Sequence, residues 1–309
     1  MTLRVLVFGF VGKSNIGDDL FETAFQVLFP QYQFTFTDYI TVEQAANADV
    51  LFVGGGSLLD GAIESEAGSQ YRPLPVLYLG VGTETAVHPD HQHMLGKALL
   101  VATRTKGTTF THPKLIHCPD LVYALKANVG PPPTKKLLFL PNAHVVPSHN
   151  DPHWKHKAWE FFKSEVSQFL DLAVNDLGYQ VTLYAMCRNE STNDLHAAAE
   201  IHNMVVAKPA VSVSTYQARS FGQAIHFFGQ FSHVVTQRYH GIVLSNLANR
   251  PVVSVWHHDK LKANSSLVPY YGATKHDLLV QLDAARANPV DSDFTKFKAA
   301  VERACATLV

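Results

Sequence analysis

The strongest constraint on this chain is a repeated order of short apolar runs, each ending in a glycine-bearing loop and followed by a helical stretch. Leu3–Phe10 is apolar nearly throughout and opens into the loop Gly9–Asp19, after which Leu20, Phe21, Ala24, Phe25 and Leu28 recur at helical spacing over Asp19–Phe29. Tyr32–Thr37 alternates as a strand does, Val50–Val53 ends at Gly54-Gly55-Gly56, and Pro75–Val81 ends at Gly82. Runs this apolar and this short fit strands buried on both faces, which is the pattern of a parallel sheet with helices on either side. The order breaks at Asn128–Lys136, where Gly130-Pro131-Pro132-Pro133 can continue neither a helix nor a central strand.

Beyond that break the order restarts. Strands are expected at Leu137–Leu140, Gln180–Met186, His233–Thr236 and Pro251–Trp256, and helices at His153–Leu177, Tyr216–Phe231, Gly241–Ala248, Lys275–Ala287 and Phe294–Ala306. The expectation is an α/β protein of two doubly wound, Rossmann-like lobes facing a cleft, the arrangement of B-type glycosyltransferases. The lobes are placed at residues 1–130 and 134–290, and the closing helix, 291–309, is expected to pack back on the first lobe.

Charge narrows the function. With 25 basic and 26 acidic residues the formal net charge is −1, which lacks the basic excess of a nucleic-acid binder. An anionic ligand must then be held by a few placed groups. Cys118, Cys187 and Cys305 are odd in number and far apart, with no CxxC pair, so neither a disulfide framework nor a thiolate zinc site is expected. His144, His149, His153 and His156 cluster, but Pro147 and Pro152 interrupt them, so they are read as solvated loop histidines and no metal is expected. No stretch reaches the roughly 20 apolar residues of a membrane span, and the N-terminal run leads into Gly-Lys-Ser-Asn rather than a cleavage site. The expected location is the cytoplasm.

In sheets of this type ligands gather outside the carboxyl ends of the strands, so the loops there carry the candidate residues. In the first loop, Gly12-Lys13-Ser14 lacks the upstream glycine of a P-loop. It leaves Asn15, Asp18 and Asp19 at a helix start, with Asp19 as the expected cap and the second acid free to meet hydroxyl groups. Gly55 and Gly56 permit close backbone approach by a ligand. Arg104 ends an expected strand from Leu99 and is a candidate for the anion. The richest loop is Gln237-Arg238-Tyr239-His240-Gly241: Arg238 offers a charged planar fork for carboxylate or phosphate, and His240 opens the next helix with a side chain suited to proton transfer. After the following strand come His257-His258-Asp259-Lys260, whose lysine adds a point charge on the same rim.

At these residues the chain resembles the polysaccharide pyruvyl transferase family. The resemblance runs through Asn15-Ile16-Gly17-Asp18-Asp19, Gly54-Gly55-Gly56, Gly80-Val81-Gly82 and Pro119-Asp120-Leu121. It continues through Arg238-Tyr239-His240-Gly241, Ser245-Asn246-Leu247-Ala248, Arg250-Pro251-Val252-Val253 and Asp259-Lys260. It implies phosphoenolpyruvate as donor, no further cofactor, and a sugar of a surface polysaccharide or glycan precursor as acceptor. The family's Arg-x-His motif falls on Arg238 and His240, the expected catalytic pair. The donor is then expected on the second lobe with Arg238, His240, Gly241, Lys260 and Arg104, and the acceptor on the first with Asn15, Asp18, Asp19, Gly55 and Gly56. His257-His258 departs from the aromatic residue that is more usual before the Asp/Lys pair. The competing readings are a nucleotide-sugar-dependent glycosyltransferase of the same fold and a non-catalytic ligand-binding homologue.

Overall fold

The computed structural model describes residues 2–308 apart from 64, 67–73, 83–86, 105–110, 146–152, 189–192, 218–219, 258, 264–265, 289 and 291. His149, Pro147, Pro152 and His258 of the sequence reading therefore lie outside the described residues. The chain divides into two compact units, one of Met1–Lys13, Gly17–Leu125 and Asp291–Val309, the other of Ser14–Ile16 and Lys126–Val290. No helix among the described residues is long and apolar enough to cross a membrane.

The first unit is built from β1 (Arg4–Phe8), α1 (Ile16–Leu28), β2 (Gln33–Thr37), α2 (Val42–Ala46), β3 (Val50–Gly54), β4 (Val76–Val81), α3 (Pro89–Leu95), β5 (Leu100–Thr103) and β6 (Leu115–His117). Its strands form one parallel sheet in the order β2-β1-β3-β4-β5-β6. β3, β4 and β5 are buried along their whole length, as central strands with both faces covered must be. α1 begins at Ile16, three residues ahead of the expected start, so Asp19 does not cap it; Asp18 and Asp19 lie in its first turn. The acids suit the positive end of the helix dipole from within the helix.

The second unit contains β7 (Lys136–Leu140), α4 (His153–Asn175), β8 (Gln180–Ala185), α5 (Asp194–Met204), β9 (Val211–Thr215), α6 (Phe221–Gly229), β10 (His233–Thr236), α7 (Tyr239–Leu247), β11 (Val252–Trp256), β12 (Leu267–Pro269) and α8 (Lys275–Ala284). Its sheet is again parallel, in the order β12-β11-β10-β7-β8-β9. A core of Leu137, Phe139, Trp159, Phe162, Phe169, Leu183 and Ile201 joins α4 and α5 to the sheet. The last helix, α9 (Thr295–Ala306), belongs to the first unit: Phe297 meets Phe29 at 5.8 Å between ring centroids and Gln31 Nε2 donates to Glu302 Oε1 at 3.3 Å. Hydrophobic periodicity does not announce α2, α3, α5, β6, β9 or β12, which are short, weakly amphipathic or at sheet edges.

One buried pair in the first unit sets an acid limit on stability. Tyr78 on β4 and His91 on α3 are both fully buried, and the tyrosine hydroxyl lies 3.0 Å from His91 Nδ1. Burial pushes the His91 pKa down from 6.5 to about 4. The unfolded chain therefore binds the extra proton first, and stability falls as pH drops from about 6.5 to about 4, by up to about 3 kcal/mol. Thermal unfolding across that window should show the loss. His91→Phe, which keeps a ring and carries no titrating group, should flatten the slope.

Candidate active site

The strand order locates a crevice in each unit. In the second unit the chain runs outward from β7 to β9, then returns to β10 on the other side of β7, so the topological switch point lies between β7 and β10. Ligands of doubly wound sheets bind there, where adjacent loops leave in opposite directions. Asn142 follows β7; Gln237, Arg238 and His240 follow β10; His257 and Lys260 follow β11.

The loop after β10 is fixed by its own residues. Thr236, fully buried at the strand end, donates from Oγ1 to Arg238 O at 3.0 Å and accepts from Arg238 N at 2.9 Å. Arg238 is the extended N-cap of α7, and His240, 9% exposed, lies in the first helical turn with its ring 5.4 Å from that of Tyr239. Gly241 stands where a Cβ would come 2.2 Å from Thr236 Oγ1 and 2.7 Å from Leu140 Cδ1. The structure gives Gly241 a packing role. It lets α7 descend onto the ends of β10 and β7, and brings His240 with it. α7 is buried nearly all round, which explains its lack of an apolar stripe.

Arg238 is already engaged. Its Nε donates to Asp194 Oδ2 at 2.9 Å and its Nη2 to Asp194 Oδ1, with the carboxylate fully buried and the arginine side chain 14% exposed. One edge of the expected fork, Nε–Nη2, is therefore taken, and Nη1 has no partner among the described residues. A cation at a helix N-cap opposes the dipole, and a neighbouring carboxylate offsets that cost. Asp194 itself opens α5, where Asn193 Oδ1 caps the helix by accepting from Leu195 N at 3.1 Å. Sequence reasoning passed over Asp194, although an Asn-Asp pair ahead of an alanine-rich stretch is a helix-start signal.

A second polar chain lies beside it. Asn142 Oδ1 accepts from His144 N at 2.9 Å, which leaves Nδ2 as the end that faces Gln237 O at 3.4 Å and His257 Nε2 at 3.2 Å. His257 Nε2 is thus the acceptor for the Asn142 amide. Gln237 Oε1 accepts from Asn142 N at 3.2 Å, while its buried Nε2 has no hydrogen-bond partner among the described residues. Lys260 is half-buried in a short 3₁₀ turn after β11.

In the first unit the switch point falls between β1 and β3. Gly55 (φ +81°) and Gly56 (φ +67°) both need the left-handed region; a Cβ on Gly55 would meet the Phe21 ring at 2.4 Å, and one on Gly56 would lie 3.3 Å from Asp18 Oδ1. Asp19 Oδ1 accepts from Gly12 N at 3.0 Å. Asp18 is thus brought against Gly56, while Asp19 holds the loop after β1 through Gly12. Two carboxylates in the first turn of α1 repel phosphate and suit hydroxyl donors. Asn15 departs from this group: it bridges to Cys187 in the second unit, where Ile16 N also donates to Met186 O at 3.3 Å.

Arg104 departs from the expected donor group as well. It belongs to the first unit, where its Nη1 donates to the fully buried Asp120 at 2.7 Å and its own side chain is only 7% exposed. Asp120 also accepts from Val122 N at 3.0 Å, so the pair anchors the loop after β6. Burial, with Asp120 close by, pushes the neighbouring Cys118 thiol up to about 12, so it remains protonated and is no nucleophile at neutral pH. His144, His153 and His156 are exposed, and among the described residues no group of three His, Cys, Asp or Glu side chains is placed to hold a metal ion.

Searches of solved structures bring out proteins of similar fold. The UDP-GlcNAc 2-epimerase of Methanocaldococcus jannaschii, solved with UDP-GlcNAc and UDP, superposes with a TM-score of 0.60 at 10% identity, covering 99% of this chain and 100% of that one. UDP-N-acetylglucosamine 2-epimerase from Rickettsia bellii gives 0.57 at 8% identity over 100% and 96% of the two chains. Acinetobacter baumannii MurG gives 0.51 at 10% over 98% and 100%. At these identities the likeness establishes the fold, that of B-type glycosyltransferases, and nothing about substrate. No curated protein matches the chain. The sequence model of one family does match, over residues 15–259, a span that takes in Asp18, Asp19, Gly55, Gly56, Asp194, Arg238 and His240; by that match the chain belongs to the polysaccharide pyruvyl transferase family.

Proposed function

We propose that the protein transfers a pyruvyl group from phosphoenolpyruvate to two hydroxyls of one sugar in a surface polysaccharide or its precursor, forming a cyclic ketal. The observation that carries this reading is the Arg238-Tyr239-His240-Gly241 turn at the switch point of the second unit, inside the family-matched span. Phosphoenolpyruvate presents a carboxylate, a phosphate and a nucleophilic methylene carbon. His240, as imidazolium, gives its proton to that carbon; the adjacent carbon becomes electrophilic and is attacked by the first hydroxyl, whose proton restores the imidazolium. The second hydroxyl then displaces phosphate and its proton leaves with that group, so two hydroxyl protons end on the methyl carbon and on phosphate. The Arg238 Nη1 edge and the N-terminal amides of α7 face the departing charge. The scheme balances without a metal. Asp18 and Asp19, with the Gly55–Gly56 turn, serve the acceptor hydroxyls, and a phosphoenolpyruvate donor places the activity in the cytoplasm.

The test is incubation with phosphoenolpyruvate and a panel of galactose-, mannose- and glucuronate-type acceptors, following phosphate release and product mass. An acceptor gaining the mass of a pyruvyl ketal with one phosphate released supports the reading; release of a nucleoside diphosphate from a nucleotide sugar by the same preparation overturns it. Arg238→Lys keeps the charge but presents one point donor in place of the fork. Its kcat/KM for phosphoenolpyruvate should fall about tenfold or more, in line with the loss of a charge-assisted hydrogen bond.

A further inference from the structure

We propose that Asp194 is the positioning residue of this site, acting on the donor through Arg238. The proposal rests on the pyruvyl-transfer reading for the identity of the donor, and on geometry for the rest. The Asp194 carboxylate is fully buried and every side of it is occupied. Oδ1 accepts from Ala143 N at 2.9 Å and from Arg238 Nη2; Oδ2 accepts from Cys187 N at 3.0 Å and from Arg238 Nε at 2.9 Å. Each oxygen thus takes one backbone amide and one guanidinium N–H, which uses the four acceptor positions a carboxylate offers. A group so saturated is not placed to take a proton or to meet a substrate. Its work is to fix others.

What it fixes is specific. Ala143 follows β7, Cys187 follows β8 and Arg238 follows β10, so one carboxylate ties three adjacent loops at the carboxyl end of the sheet. It grips the guanidinium by its Nε–Nη2 edge, the geometry that leaves Nη1 as the outward donor, and Arg238 Nη1 is the guanidinium nitrogen with no partner among the described residues. Held in this way, Arg238 has no rotamer freedom left to lose when an anion arrives. The arginine also sits at the N-cap of α7, two residues before His240, so its orientation and that of the proposed acid are set together. Cys187, in turn, is bridged to Asn15, so the same carboxylate fixes the strand end against which the Ser14–Ile16 segment pairs.

Asp194→Asn keeps the volume but turns an N–H₂ toward a donor and removes the charge. The expected result is a KM for phosphoenolpyruvate, and a Kd for inorganic phosphate by calorimetry, raised about tenfold or more, with a smaller change in kcat. Asp194→Glu, which restores the charge, should recover part of the affinity. A folded Asp194→Asn protein with the parent's KM and Kd, or one that loses only thermal stability, overturns the proposal. Should that variant not fold, the comparison moves to Arg238→Gln alone and Arg238→Gln with Asp194→Asn, a pair of amides that leaves no buried charge unmatched. Equal ligand affinity in those two supports action through Arg238; a further tenfold loss in the double variant contradicts it. Phosphate binding separates the two readings. If the parent binds phosphate and Asp194→Asn does not, Asp194 retains its role even where no pyruvyl transfer is found; if the parent binds no phosphate, the positioning proposal fails on its own.

Discussion

His240→Ala is expected to lower kcat by about 10²–10⁴, the range of general acid catalysis, while the KM for phosphoenolpyruvate stays close to that of the parent. The asymmetry follows from where the residue stands. His240 is in the first turn of α7, carried to the switch point by the close approach of Gly241 to Thr236, while the charged grip on the donor is the role proposed for Arg238. In the proposed mechanism, removing the ring takes away the proton for the methylene carbon, a step made only in the transition state, and leaves the anion contacts of the ground state. His240→Asn, which keeps a polar side chain of smaller volume, should be as inactive, because an amide donates a hydrogen bond but no proton at neutral pH. The measurement is a pyruvyl-transfer rate beside a thermal-shift titration with phosphoenolpyruvate. Near-normal turnover in a folded His240→Ala protein would remove His240 from the mechanism and direct the search for the acid to Asp18, Asp19 and His144.

Much of this site was legible in the sequence because doubly wound sheets put function at strand ends, and strand ends here are marked. Val50–Val53 followed by three glycines, and His233–Thr236 followed by Arg238 and His240, announce both switch-point loops by local signals alone. Gly55 and Gly56 indeed take left-handed backbone, and Asp18 lies against them. What periodicity cannot supply is partnership across the sheet. Arg238 and Asp194 are 44 residues apart, and α5, which carries the aspartate, has a weak apolar stripe dominated by alanine. The crossover from β8 to a further parallel strand required a helix in this stretch, a hint that adds to the Asn193-Asp194 start signal. Arg104 shows a related limit: a strand-end arginine reads the same whether it faces a ligand or a buried carboxylate, and its pairing with Asp120 becomes visible only in the fold. Asn15 shows the limit of contiguity, since neighbours in one motif separated into different units.

Arg250→Ala should destabilise the second unit by roughly 3–5 kcal/mol without touching the chemistry, the range found when a buried charged hydrogen-bonding group loses its counterpart. Arg250 is 1% exposed, and among the described residues no carboxylate pairs with it. Its partners are backbone carbonyls: Nη2 donates to Gly130 O at 2.8 Å and Gly229 O at 2.9 Å, and Nη1 to Asn249 O at 3.3 Å. Burial lowers its pKa from the usual arginine value, a sign that the environment taxes the charge. The guanidinium joins the end of α6 to the proline-rich stretch ahead of β7, where Val129 also packs against Gly229 so closely that a Cβ there would meet it at 2.5 Å. Alanine strands those carbonyls and opens a cavity; lysine, with a single nitrogen on a flexible stem, cannot reach all of them and should rescue little. Arg250 precedes β11, whereas Arg238 and His240 follow β10, so in a parallel sheet the two sets stand at opposite ends of the strands. The lost stability should therefore appear as a fall in urea midpoint and in Tm of about 10 °C, with activity per folded molecule unchanged. A folded Arg250→Ala protein with the parent's midpoint would show that the stretch ahead of β7 is held by its packing alone. One with a normal midpoint and lost activity would move Arg250 from the scaffold to the site.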